Sequence, residues 1–148
     1  MRRNLAEIES AIRDTLEESA MLPGAGKVVV GCSGGADSMA LLHALFTMGF
    51  PVLAAHINHQ LRGEEALRDE AVVREFCRAH AIPFHLHRED VAARAAREGQ
   101  SVEQCGRTVR YAFFASLCSA PEDRIATAHT RTNCAAKCSA ETSIVIIG

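Results

Sequence analysis

Lys27-Val28-Val29-Val30-Gly31-Cys32-Ser33-Gly34-Gly35-Ala36-Asp37-Ser38-Met39-Ala40-Leu41-Leu42 is the stretch that decides the fold. A short, continuous, β-branched run is the pattern of a strand buried on both faces. Two glycines follow, and residues 36–48 then take helical spacing that Gly49 closes. A buried strand turning through Gly-Gly into a helix opens a parallel βαβ unit.

Outward from this unit the alternation repeats. Residues 52–56 read as a second strand, 64–80 as a long charged helix and 84–86 as a short third strand. A helix over about 101–119 opens on a capping box, Ser101-x-x-Gln104, and residues 125–128 form a fourth strand. The expectation is an α/β chain: an open, mainly parallel, Rossmann-like sheet with helices on both faces. Val72, Val73 and Phe76 are expected to point inward from a solvated helix face, and Tyr111, Phe113 and Phe114 to join the core. Upstream, Leu5, Ile8, Ile12 and Leu16 predict an amphipathic helix within residues 1–24.

A chain of 148 residues is enough for one domain. Its 48% hydrophobic and 23% charged residues, with a mean hydropathy of +0.02, exclude a disordered tail. There is no apolar run near the roughly 18 residues a membrane helix needs. No apolar secretory core follows Met1-Arg2-Arg3-Asn4, so a cytoplasmic protein with no membrane contact is expected. The net charge of -2 argues neither for nor against nucleic acid. Six cysteines without an export signal read as reduced thiols, and Cys134-x-x-x-Cys138 lacks a second pair to complete a zinc site.

Chemistry concentrates on Ser33-Gly34-Gly35-Ala36-Asp37-Ser38, at the carboxyl end of the first strand, where open parallel sheets bind ligands. The glycines let backbone N–H groups approach an anion, and the next helix aims its positive end at the same point. Ser33 and Ser38 add hydroxyls. Asp37 would repel a bare phosphate and makes sense beside a divalent cation. A phosphate-and-Mg²⁺ site follows, although the same residues could make an ordinary capped turn. The spacing fits neither a Walker A loop nor G-x-G-x-x-G. His56 and Asn58 share one face at the end of the second strand, and His59 begins the next loop on the same rim. Glu103, Arg107 and Arg110 form one helical stripe, either a solvated salt-bridge face or a guanidinium reaching phosphate.

Ser-Gly-Gly-x-Asp-Ser after a Val-rich strand resembles the PP-loop of the N-type ATP pyrophosphatases, which cleave ATP to AMP and pyrophosphate. Three later segments, in order, resemble the tRNA(Ile)-lysidine synthase family. They are His56-Ile57-Asn58-His59-Gln60-Leu61-Arg62-Gly63-Glu64-Glu65; Ser101-Val102-Glu103-Gln104 with Arg107 and Arg110-Tyr111-Ala112-Phe113-Phe114; and Arg124-Ile125-Ala126-Thr127-Ala128-His129. The resemblance spans residues 25–130 and implies ATP and Mg²⁺ as cofactors. It implies Ser33, Gly34, Gly35, Ala36, Asp37, Ser38 and His56 as ATP contacts, Asp37 as the metal ligand, and Asp37, Arg110 and His129 as catalytic. The implied reaction adenylates the wobble cytidine of tRNA(Ile) with a CAU anticodon, releasing pyrophosphate. The ε-amine of L-lysine then displaces AMP. His129 would face the phosphate loop if strand order reverses between the first and fourth strands. A homodimer is left open.

The family pattern breaks after His129. One or two aspartates and then Glu-Thr are expected, where this chain has Thr130-Arg131-Thr132-Asn133-Cys134-Ala135-Ala136-Lys137-Cys138. Asn133, at or near the second acidic position, would cost Mg²⁺ a carboxylate. Residues 131–148 are therefore expected to be an aberrant tail in place of the family's tRNA-binding domains, with neither helical nor strand periodicity from Thr130 to Ser143 and then the aliphatic run Ile144-Val145-Ile146-Ile147. A frameshift accounts for this: Cys138-Ser139-Ala140-Glu141, coded TGT-TCT-GCT-GAA, gives Val-Leu-Leu one nucleotide later. The expected product is an impaired fragment. Two other readings stay open: another PP-loop enzyme (tRNA thiolation or an amidating ligase) and a non-catalytic ATP- or AMP-binding module.

Overall fold

β1 (Val28–Gly31) lies at the centre of the sheet, and its three valines are accordingly almost wholly removed from solvent. It pairs in parallel with β2 (Val52–Asn58) on one side and with β4 (Arg124–Asn133) on the other. β3 (Phe84–Arg88) runs parallel beyond β2, and β5 (Ser139–Ile147) returns antiparallel along β4. This computed structural model describes residues 26–61, 63–133 and 139–147 with Ser10, Arg13 and Asp14, and from His129 onward the backbone alone. The predicted N-terminal helix with Leu5, Ile8, Ile12 and Leu16, and the pair Cys134 and Cys138, lie outside the described residues.

Alternate residues of the strands feed opposite cores, as the pleat requires. On one face, Val28, Val30, Ala54 and Ala126 pack against Leu41, Leu42 and Leu45 of α1 (Ala36–Thr47) and Val73 and Cys77 of α2 (Glu64–His80). On the other, Val29, Leu53, Ala55 and Ile125 receive Phe114 of α4 (Val102–Ser116). α3 (Val91–Glu98) docks on α4 through Val91, Ala95, Cys105 and Val109. The α/β expectation with helices on both faces is met. Ser101 caps α4 by accepting from the Gln104 N–H at 3.1 Å, and Asp90 caps α3 by accepting from Ala93 at 3.1 Å.

At the amino ends of the central strands, Asp123 accepts from the backbone N–H groups of Ser119 at 2.7 Å, Ala120 at 2.9 Å and Lys27 at 3.1 Å. These bonds, those from Ser119 and Ala120 above all, hold its carboxyl well below the usual carboxylate range. The same side chain therefore ties the starts of β1 and β4 together.

Four local expectations are corrected. Residues 130–133 and 139–143 form strand, not aperiodic chain, because β4 offers an edge on which β5 pairs, Ile147 opposite Ile125 and Ile144 opposite Ala128. α3 was not expected: its Ala- and Arg-rich sequence buries only Val91 and Ala95, too sparse a stripe to read. Val72 is 49% exposed whereas Val73 is fully buried, so only one of the two neighbours faces the sheet. Glu70, placed on the solvated face, is buried. Among the described residues no helix is long and apolar enough to cross a membrane. Cys32, Cys77, Cys105 and Cys118 are free thiols, not joined in disulfides.

Candidate functional site

Strand order β3-β2-β1-β4-β5 places β2 and β4 on opposite sides of β1, so the chain switches direction there. The crevice at the carboxyl ends of such strands is where this architecture binds ligands. A cavity of about 260 Å³ occupies that place. The loop after β1 contributes Cys32 and Ser33, and the first turn of α1 Ser38; β2 and its loop contribute His56, Asn58 and His59. Arg110 and Phe114 reach in from α4, Asp69 from α2, and Thr127 and Ala128 from β4.

The loop is braced from within. Ser38 is buried, accepts from the Ser33 N–H at 3.1 Å and donates to the Gly35 carbonyl at 3.1 Å. The Ser33 hydroxyl lies 3.2 Å from it and accepts from the Gly35 N–H at 3.3 Å. The two hydroxyls, expected as ligand donors, here shape the turn. Gly34 has φ +90°, and a Cβ on it would meet Asp69 at Cβ, Cα and O within 2.9 Å. Only glycine fits there, on both counts. Gly35, Ala36 and Asp37 continue into α1, whose N-cap makes no side-chain hydrogen bond. The start of α1, with its positive end, faces the same rim. Gly34, Gly35, Ala36 and Asp37 stand outside the cavity lining itself.

His56 is buried, with Nδ1 2.7 Å from the Cys32 carbonyl, which fixes Nδ1 as the donor. Its Nε2 has no hydrogen-bond partner, and neither does the buried Nε of Arg110. The Arg110 guanidinium lies 5.6 Å from the centre of the Tyr111 ring, and that of Arg107 5.8 Å. Arg110, unlike Arg107, reaches the cavity, while Glu103 is exposed. Tyr111, Phe113 and Phe114 pack in the core as expected.

His59 titrates below its ordinary value. Burial is the main cause, and the positive field of Arg110, with His56 and His87, adds to it. The ring is therefore neutral at neutral pH. His129 lies in β4 beyond Thr127 and Ala128, with its side chain outside the described residues, as is Arg62. The strand-order condition attached to His129 is met.

Sequence reasoning missed Asp69 and Thr127. Asp69 sits inside a run of charge that hides it, although its spacing one turn beyond Glu65 on a helix leaving the rim was a usable signal. Among the described residues no group of three or more His, Cys, Asp or Glu forms a preformed metal cage. Asp37, a half-exposed carboxylate in the first turn of α1, suits Mg²⁺ that keeps its waters and arrives with a phosphate chain.

A family profile described as "PP-loop domain" matches residues 5–143, wider than the motifs alone delimit. The chain is 41% identical over 127 residues to a tRNA(Ile)-lysidine synthase of Clostridium tetani (strain Massachusetts / E88), covering 80% of this chain and 26% of the relative. It is 44% identical over 108 residues to a tRNA(Ile)-lysidine synthase of Petrotoga mobilis (strain DSM 10674 / SJ95), covering 70% and 34%. The chain thus spans about a quarter to a third of the length of these curated relatives. Among solved structures it resembles an NH3-dependent NAD synthetase from Campylobacter jejuni, determined with nitrate. That match has a TM-score of 0.52 at 17% identity, over 84% of this chain and 56% of the other, and it bears on the fold alone.

Proposed function

We propose that this chain, which belongs to the PP-loop domain family, binds ATP at the rim cavity and provides the ATP-cleaving step of lysidine formation on tRNA(Ile). The observation that carries this is the pairing of two buried polar atoms without partners, His56 Nε2 and Arg110 Nε, on residues that line the cavity bordered by the Ser33–Ser38 brace. Buried polar groups are nearly always satisfied, so a ligand that satisfies both is expected.

The roles follow from the chemistry of each group. N–H groups at the start of α1 hold phosphate oxygens. The Arg110 guanidinium, kept in place by Tyr111, opposes negative charge that grows on the leaving pyrophosphate. His56 Nε2, buried and unpartnered while Nδ1 donates to the Cys32 carbonyl, suits a polar group of the nucleotide base. Mg²⁺ held by Asp37 would neutralise phosphate charge and orient the chain of phosphates. His129, on β4, would orient substrate or pass a proton. The cytidine carbonyl oxygen attacks the α-phosphorus and pyrophosphate leaves; the lysine amine then attacks the activated carbon, and AMP leaves.

Purified chain incubated with ATP, Mg²⁺ and tRNA(Ile) bearing a CAU anticodon tests the reading. Tenable results are pyrophosphate release that depends on this tRNA and label passing from lysine into RNA. Pyrophosphate release without lysine transfer points to another PP-loop enzyme. ATP binding with no pyrophosphate points to a non-catalytic module.

A further inference from the structure

Glu70 is only 3% exposed in the middle of a charged helix. Its carboxylate accepts from Arg88 Nε at 3.1 Å and Arg88 Nη2 at 2.8 Å, and from Arg74 Nη2 at 3.5 Å. The Asn58 side chain also acts to lower the Glu70 carboxyl. Arg88 is the largest of the influences that hold the carboxyl below its ordinary value, so Glu70 is ionised at neutral pH. Asn58 and Arg88 are the last residues of β2 and β3 and stand opposite each other in register. One carboxylate therefore fastens α2 to the end of β3, at the register position opposite the end of β2.

The residue before it, Asp69, is the seat of the phosphate loop, since Gly34 abuts its Cα and carbonyl oxygen. Packed backbone transmits displacement because there is no void to absorb it. We propose that Glu70 is a positioning residue for the nucleotide loop. Fastened to the forked guanidinium of Arg88, it fixes the α2 backbone at Asp69, and this sets where Gly34 and the following N–H groups meet phosphate. Glu70 does not line the cavity, so its influence passes through the helix and not through contact. The inference rests on the ATP reading above.

A merely structural ion pair would lower the melting temperature and leave the ATP affinity of the folded protein unchanged. The test therefore compares Glu70→Gln with Asp123→Asn, which weakens the opposite end of the sheet. ATP dissociation constants of the 148-residue chain are measured at a temperature where melts show every protein folded. Glu70→Gln is expected to weaken ATP on the order of tenfold, as befits the loss of a charge-assisted pair, and to shift the Gly34 amide resonance. Asp123→Asn is expected to melt lower with ATP affinity and the Gly34 resonance unmoved. Arg88→Lys keeps the charge but loses the two-pronged fork, so an intermediate loss is expected; it decides the matter if Glu70→Gln does not fold. Parental ATP affinity in the folded Glu70 or Arg88 variant, or an equal loss in Asp123→Asn, overturns the inference. A parent chain that binds no ATP overturns the ATP reading, and this inference with it.

Discussion

The imidazole of His59 rests on the backbone of Gly106: a Cβ there would meet ring atoms Cε1 and Nδ1 at 3.2 Å. A glycine inside a helix costs about 1 kcal/mol relative to alanine. Here the missing side chain leaves room for the ring between α4 and the cavity, next to Arg110.

Gly106→Ala separates these two effects. Gly106 has no positive φ, so alanine gains helix propensity of about 1 kcal/mol. The ring has to yield by a few tenths of an ångström, and its open side is the cavity. Thermal melts should show the variant at least as stable as the parent, while ATP titration shows affinity several-fold weaker. A less stable variant with full ATP affinity would mean that the ring does not move into the nucleotide's space.

The state of His59 sets a pH dependence. Its folded value lies below the ordinary 6.5, mainly through burial and next through Arg110. Just below pH 6.5 the unfolded chain therefore binds more protons than the folded one. The stability contribution is intact above 6.5 and is lost as pH falls beneath it. Glu70 has the same sign in a lower window, below its ordinary 4.5. Melting temperature followed from neutral pH down to about 5 should decline, and His59→Gln should flatten that decline. An unchanged slope in the variant would assign the acid limb to other groups.

Arg110→Lys keeps the charge but loses the planar fork and its stacking on Tyr111. ATP affinity should fall by roughly tenfold or more, with little change in melting temperature because the guanidinium Nε has no protein partner to lose. Equal affinity in calorimetric titrations of the two proteins would remove Arg110 from the site.

Phe114 forms the wall between cavity and core, 3% exposed, and its Cζ would lie 2.7 Å from a Cβ on Gly31. Phe114→Ala should cost about 3–5 kcal/mol in urea unfolding. Gly31→Ala should be strongly destabilising alone and much less so combined with Phe114→Ala, a coupling that a double-mutant cycle reads directly. Additive losses would show that the ring is not what excludes a side chain at Gly31.

The parts legible in sequence are those set by local pattern. The valines of β1, the Gly34-Gly35 turn and the limits of α2, residues 64–80, all follow from hydrophobic period and turn chemistry over a few neighbours. His56, Asn58 and Arg110 could be placed near the rim because strand ends and helical stripes have known geometry. What stayed hidden depends on distant partners. Glu70 looks like any surface acid until Arg88, eighteen residues on, is brought to it. Asp69 acquires a role only because Gly34 lies against it. β5 needs the edge of β4 before its residues read as strand, and α3 buries too little to announce itself.

The central claim, that the crevice around Ser33, His56 and Arg110 is an ATP site, is tested most directly by titrating the chain with ATP and Mg²⁺ under nuclear magnetic resonance. The account predicts saturable binding at one site. Shifts should concentrate at residues 33–38, His56, His59 and Arg110, and Gly34→Ala, strained at φ +90° and pressed on Asp69, should abolish them. No saturable binding, or shifts centred elsewhere and retained in folded Gly34→Ala, would contradict it.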